Sequence, residues 1–162
     1  MVILGFIFLN KKRYFLCYNN FLGDFMTISD SEKTGPKPAE GSELVIRLFP
    51  MPSDSNFNGD IFGGWIMAQV DLAGSVIPRR VAKGRIATVA VNEFIFKQPV
   101  SVGDHLSFYS KIERIGTTSI TVSVEVFAER NPASPQTVKV TEARLTYVAI
   151  DELGKPRKIN KD

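Results

Sequence analysis

Residues 65–77 constrain the fold of this chain more than any other stretch. Nine of the thirteen are apolar and fall all round a helical wheel, with polar side chains only at Gln69, Asp71 and Ser75. One apolar stripe would mark a helix resting on a surface, so apolar residues on every side predict a helix enclosed by other elements. The chain reaches it through a loop of Asn, Asp, Ser and Gly over 53–60 and leaves it at the polar stretch 79–85.

What can enclose that helix is read from the remaining segments. Residues 43–49 form a short β-rich run stopped by Pro50 and Pro52. Residues 86–97, 105–115, 118–129 and 137–150 are rich in β-branched and aromatic side chains and bounded by Gly and Pro. Ile120, Val122, Val124 and Val126 alternate with Thr121, Ser123 and Glu125, the period of a sheet with one face in the core. The short links imply antiparallel pairing. In the last run the apolar phase moves from Val138 and Val140 to Ala143, Leu145 and Tyr147, predicting a bulge near Thr141-Glu142. Only the sheet is available to cover the helix, so the predicted class is α+β, a curved antiparallel sheet wrapped on one long helix.

Composition removes several functions. The 162 residues suit one domain, with residues 1–42 as tail and linker and 43–159 as the domain. Lys and Arg number 20 against 17 Asp and Glu, and two units of the +3 net charge come from Lys11, Lys12, Arg13 and Asp24 in the first 25 residues. A nucleic-acid surface is not expected from the balance that remains. One cysteine, Cys17, and one histidine, His105, give neither a disulfide framework nor a zinc spacing, and suit a reducing, cytoplasmic setting. Residues 2–9 are an apolar run too short to span a membrane, followed rather than preceded by its charges, so neither a spanning helix nor a secretory signal fits. The character changes at Met26, which reads as an alternative start. The readings for residues 1–25 are an untranslated upstream stretch, a disordered tail or a weak interfacial anchor without stable membrane insertion.

Asp71 is the first candidate for chemistry, because an ionised carboxylate in so apolar a helix is costly without partners, and such residues are often functional. The structural alternative is an ion pair or an interface that fixes register. Ser75 lies one turn on, so Asp71 with Ser75 is expected to hold a water. The second candidate is the helix entrance. Gly63 and Gly64 would bare N–H groups at the positive end of the helix dipole, a natural site for an oxyanion; the alternatives are Asp60 as a cap and glycines kept for close packing. Gly64 and Asp71 are about 10 Å apart along the axis at about 1.5 Å per residue. One helix cannot easily bring both to one carbonyl, whereas two antiparallel copies could, which predicts a dimer with shared sites. His105 reads as a solvated histidine, and the basic clusters Arg79-Arg80, Lys83-Arg85 and Lys155, Arg157-Lys158 read as phosphate contacts or a solvated face.

The segments NGDIFGGWIMAQVD (58–71), VAVNEFIFKQPVSVGD (89–104), GTTS (116–119) and VAIDELGKPR (148–157), in that order, resemble the YciA-type acyl-coenzyme A thioesterases of the hotdog superfamily. The resemblance spans about residues 44–159. It implies the same sheet-on-helix fold, dimers and commonly trimers of dimers, and hydrolysis of acyl-CoA without a metal or redox cofactor. By the same resemblance Asp71 is general base or nucleophile, Asp60 a polar group supplied from the facing subunit, and Gly63 or Gly64 the oxyanion donor. Ser75 stands near the water. Asn58, the loop Gly116, Thr117, Thr118 and Ser119, and Arg157 approach the substrate. A non-catalytic acyl-CoA sensor or carrier is the competing reading.

Overall fold

The structure, a computed structural model, describes residues 5–9, 12–16 and 35–160. Cys17, Met26 and the polar residues 27–34 lie outside the described residues. Strands β1 (Gly5–Leu9) and β2 (Lys12–Leu16) pair antiparallel, with Gly5 opposite Leu16 and Leu9 opposite Lys12. They belong to a small compact unit of their own.

The larger unit runs from β3 (Glu43–Leu48) through a short turn of 3-10 helix (Pro52–Asp54) to α1 (Gly63–Ala82). Strands β4 (Ile86–Phe96), β5 (His105–Ile115), β6 (Ser119–Arg130) and β7 (Gln136–Ala149) follow. They form one five-stranded sheet in the order β3-β5-β6-β7-β4, antiparallel at every pairing. One helix against one antiparallel sheet is the predicted α+β architecture.

Ile120, Val122, Val124 and Val126 point from β6 into the core, joined by Leu106 and Phe108 of β5 and by Ala143, Leu145 and Tyr147 of β7. Against them α1 sets Ile66, Val70, Ala73, Gly74, Pro78 and Ala82, spaced by three, four and one so that they share a face. Each large apolar side chain buried there contributes about 1.5–3 kcal/mol. The bulge of β7 falls at Val140: Val126 pairs with Thr141 but Phe127 with Lys139, and Val140 and Thr141 are consecutive buried residues. That is the phase change read from the sequence, one residue earlier.

The helix differs from the expected 65–77 in length and in burial. It begins at Gly63 and runs through Pro78 to Ala82. Pro78 has no N–H to give to the carbonyl four residues back, a defect that normally kinks or ends a helix. Here Pro78 and Ala82 are both buried in the core, and this packing carries the helix one more turn. It closes at Lys83, whose left-handed backbone (φ 49°) turns the Lys83 and Gly84 N–H groups back to the carbonyls of Arg80 and Arg79. Enclosure on every side is not reached within one chain: Met67 and Leu72 remain 43% and 56% exposed. The edge strand β4 also leaves Val89, Val91, Ile95 and Phe96 open.

Candidate active site

Asp71 sits two turns into α1, half-buried, on the side that looks toward β4 and β7. Thr88 of β4 donates its hydroxyl proton to Asp71 Oδ1 at 2.8 Å. The Tyr147 hydroxyl from β7 lies 2.9 Å from the Asp71 backbone carbonyl and 3.2 Å from the same Oδ1, so its single proton is shared between them. Among the described residues Oδ2 has no hydrogen-bond partner. The Thr88 and Tyr147 positions face each other across the β4–β7 pairing, which is why two strands deliver two hydroxyls to one oxygen. Burial pushes the Tyr147 hydroxyl far above the ordinary tyrosine range, and the Asp71 charge and hydrogen bond push it the same way.

Gly74 explains how the ring fits. A Cβ added there would lie 2.5 Å from the Tyr147 hydroxyl oxygen and 3.3 Å from Val124 Cγ2. The helix passes close over the sheet at Gly74, where the Tyr147 hydroxyl reaches the Asp71 carbonyl.

The helix entrance forms a second group. Phe62, the residue before the helix, gives its N–H to the Asp54 carbonyl at 3.0 Å, and the N–H groups of Trp65 and Ile66 both return to the Phe62 carbonyl. Gly63 and Gly64 lie between, at positions where a helix leaves its N–H groups without intrahelical acceptors. Their two faces differ. A Cβ at Gly63 would meet the Phe96 ring at 3.1 Å, whereas one at Gly64 would meet nothing within 4 Å. Gly63 is thus held by packing and Gly64 opens outward. Asp60 does not cap the helix; its backbone bridges to Ser101, and the residue lines, with Ile61, Gly63, Ile66, Phe96 and residues 97–100, a cavity of about 330 Å³. Arg130 pins the far wall, binding Asp104 Oδ2 at 3.1 Å, Gln98 Oε1 and the Pro99 carbonyl.

The other expected residues are placed apart from Asp71. Ser75 gives its hydroxyl proton to the Leu72 carbonyl at 2.7 Å rather than to Asp71. Asn58 is exposed on the entrance loop, its N–H donated to Asn56 Oδ1. In the 116–119 turn the Gly116 N–H binds the Ser119 carbonyl. The Thr118 and Thr117 carbonyls accept from Ala149 and Ile159, so this loop holds the C-terminal segment. Arg157 directs its guanidinium to the backbone carbonyls of Ile150, Ala82 and Lys158, tying that segment to the end of α1. Of the basic clusters, Arg80 pairs with Glu43 at 2.7 Å and Arg85 with Glu152 at 3.3 Å. His105 stacks on Phe49 with ring centroids 4.3 Å apart and its Nδ1 accepts from Arg47, so it is half-buried and paired rather than freely solvated.

A model of the thioesterase superfamily matches residues 58–134, from the helix entrance through β6. The YciA acyl-CoA thioester hydrolase of Salmonella typhimurium is 46% identical over 117 residues, covering 71% of this chain and 88% of that protein. The chain belongs to the YciA family of acyl-CoA thioester hydrolases. The fold agrees with that membership. HI0827, a hexameric broad-specificity acyl-coenzyme A thioesterase solved as a mutant enzyme, superposes with a TM-score of 0.72 at 40% identity, covering 74% of this chain and 88% of that one. Cj0915 of Campylobacter jejuni, a hexameric hotdog fold thioesterase, gives 0.70 at 41%, covering 74% and 91%. This YciA-family chain is an enzyme with the hotdog fold. Among its described residues no helix is long and apolar enough to cross a membrane.

Sequence reasoning singled out Asp71 but not Thr88, Tyr147 and Gly74, the residues packed around it. The signal was present in part. Tyr147 lies on the inward phase of its strand, and a buried phenol needs a hydrogen-bond partner. A glycine three residues after a helix carboxylate marks a close approach.

Proposed function

We propose that this protein hydrolyses acyl-CoA thioesters to free acids and coenzyme A, with Asp71 as general base. A water held by Asp71 Oδ2 attacks the thioester carbonyl while the carboxylate takes its proton. Negative charge gathers on the carbonyl oxygen, where the Gly63 and Gly64 N–H groups would stabilise it. The C–S bond then breaks, and the proton passes to the departing thiolate. Asp71 and Gly64 are about 10 Å apart along one axis, so the donors belong to the helix of a second copy. Asp60 comes with them. This makes the working unit a dimer, and a trimer of dimers accounts for a hexamer such as those of the relatives. A cytoplasmic location suits the water-soluble substrate.

The observation that carries the reading is the carboxylate itself: half-buried in an apolar helix, with one oxygen held and the other open. The test is release of free thiol from acyl-CoAs ranging from acetyl to palmitoyl. The parent should turn over and Asp71→Asn, which keeps size and loses the base, should fall by about 100-fold or more. Tight binding of acyl-CoA with no turnover in the parent would make the protein a sensor or carrier and refute the reading.

A further inference from the structure

We propose that Thr88 and Tyr147 are positioning residues for the reaction, a two-hydroxyl clamp that fixes the Asp71 carboxylate by Oδ1 and aims Oδ2 at the reacting water. The proposal rests on the reading of Asp71 as the base. Both hydroxyls converge on one oxygen, at 2.8 and 3.2 Å, and Oδ2 is without a partner among the described residues. A carboxylate on a helix rotates about two side-chain torsions; donors from two adjacent strands of a packed sheet remove that freedom before substrate arrives. Tyr147 is only 1% exposed and its hydroxyl also holds the Asp71 backbone carbonyl, so it fixes the side chain and its point of attachment together. The donors differ in cost. Thr88 stands on the exposed edge strand and can be changed with little disturbance of the core, whereas Tyr147 lies under Gly74 in the centre of it.

In the clamp both residues act through the carboxylate, so their loss should lower kcat and leave KM nearly unchanged. The expected result for Thr88→Val, which keeps shape and loses the donor, is a fall in kcat of about 10-fold or more with KM within about twofold. Thr88→Ser restores the donor and should return kcat to within about threefold of the parent. Tyr147→Phe should behave like Thr88→Val, with the fold checked by the elution volume of the native oligomer. In an Asp71→Asn background the same changes should have almost no further effect, because they act through the carboxylate. Parental kcat in both Thr88→Val and Tyr147→Phe, beside a collapsed Asp71→Asn, would overturn the clamp and leave the base in place. A raised KM at unchanged kcat, or failure of Thr88→Ser to rescue, would also overturn it. Parental turnover by Asp71→Asn would remove the base and the clamp together.

Discussion

The close approach at Gly74 yields a prediction whose size can be worked out. In Gly74→Ala the new Cβ would fall 2.5 Å from the Tyr147 hydroxyl oxygen, well inside van der Waals contact, and 3.3 Å from Val124 Cγ2. The methyl group has no flexible chain end to displace, since Tyr147 is a buried ring anchored at Asp71. Overpacking of this kind costs about 1–3 kcal/mol. Pushing the phenol away from Asp71 loses a hydrogen bond worth about 0.5–1.5 kcal/mol. Alanine regains about 1 kcal/mol of helix propensity over glycine, so a net destabilisation of about 0.5–3.5 kcal/mol is expected. Combining Gly74→Ala with Tyr147→Phe removes the oxygen that clashes and leaves contacts at 3.3 and 3.4 Å. The double variant should therefore be more stable than the two single effects added together, by about 1 kcal/mol or more. Urea denaturation at one fixed protein concentration measures all four forms, fixed because subunit association contributes to apparent stability. Gly74→Ala as stable as the parent, with additive behaviour in the double variant, would refute the close-approach argument.

Arg157→Met should loosen the C-terminal segment by removing charged donors from the Ala82 and Ile150 carbonyls, a loss of about 1.5–3 kcal/mol; faster hydrogen exchange at the Ile159 N–H, which binds the Thr117 carbonyl, would register it. Hydrogen bonds from Lys139 and Lys97 hold the Glu142 carboxyl below its ordinary value of 4.5, so its contribution to stability is full above that value and is lost as the pH falls through its folded-state value. Lys139 is shifted upward: burial opposes the charge, and bonds to Glu125 and Glu142 outweigh it, so its share persists until the pH rises beyond the ordinary lysine range. Melting temperatures of the parent and Glu142→Gln should differ above pH 5 and converge in acid. Leu72→Lys, on the exposed apolar side of α1, should lower both the oligomeric mass in light scattering and the turnover.

The fold was legible because its determinants are local and periodic. Alternation in β6 and the phase slip at Val140 are written residue by residue, and one helix among strands leaves few architectures. The end of α1 was less legible: the local preference of Pro78 is to end a helix, and burial against the sheet overrides it. The site divides the same way. Asp71 stands out as a charge in an apolar run, and Gly63 and Gly64 as a pair at a helix start. Thr88 and Tyr147 are ordinary strand residues until the register of β4 on β7 brings them to one oxygen, 17 and 76 residues from Asp71 in sequence. Ser75 shows that helical spacing alone does not say where a hydroxyl sends its proton. It lies one turn from Asp71 as expected, yet a helical serine can always bond back to its own backbone, and here it does.

The helix that looks enclosed in sequence and is half-open in the chain joins these observations. Nine apolar residues in thirteen are more than one sheet can cover: Met67 and Leu72 stay open on α1, and Val89, Val91, Ile95 and Phe96 stay open on β4. Water is a poor neighbour for such a face, so burial by a second copy is the stable solution. That same contact solves the chemical problem set by helix geometry, for it can carry the outward-facing Gly64 of one copy toward the open Oδ2 of the other. On the proposed mechanism the fold would use a single surface for association and for catalysis. Under dilution, specific activity and oligomeric mass should fall at the same protein concentration, and a fully active monomer would show that the donors come from within one chain.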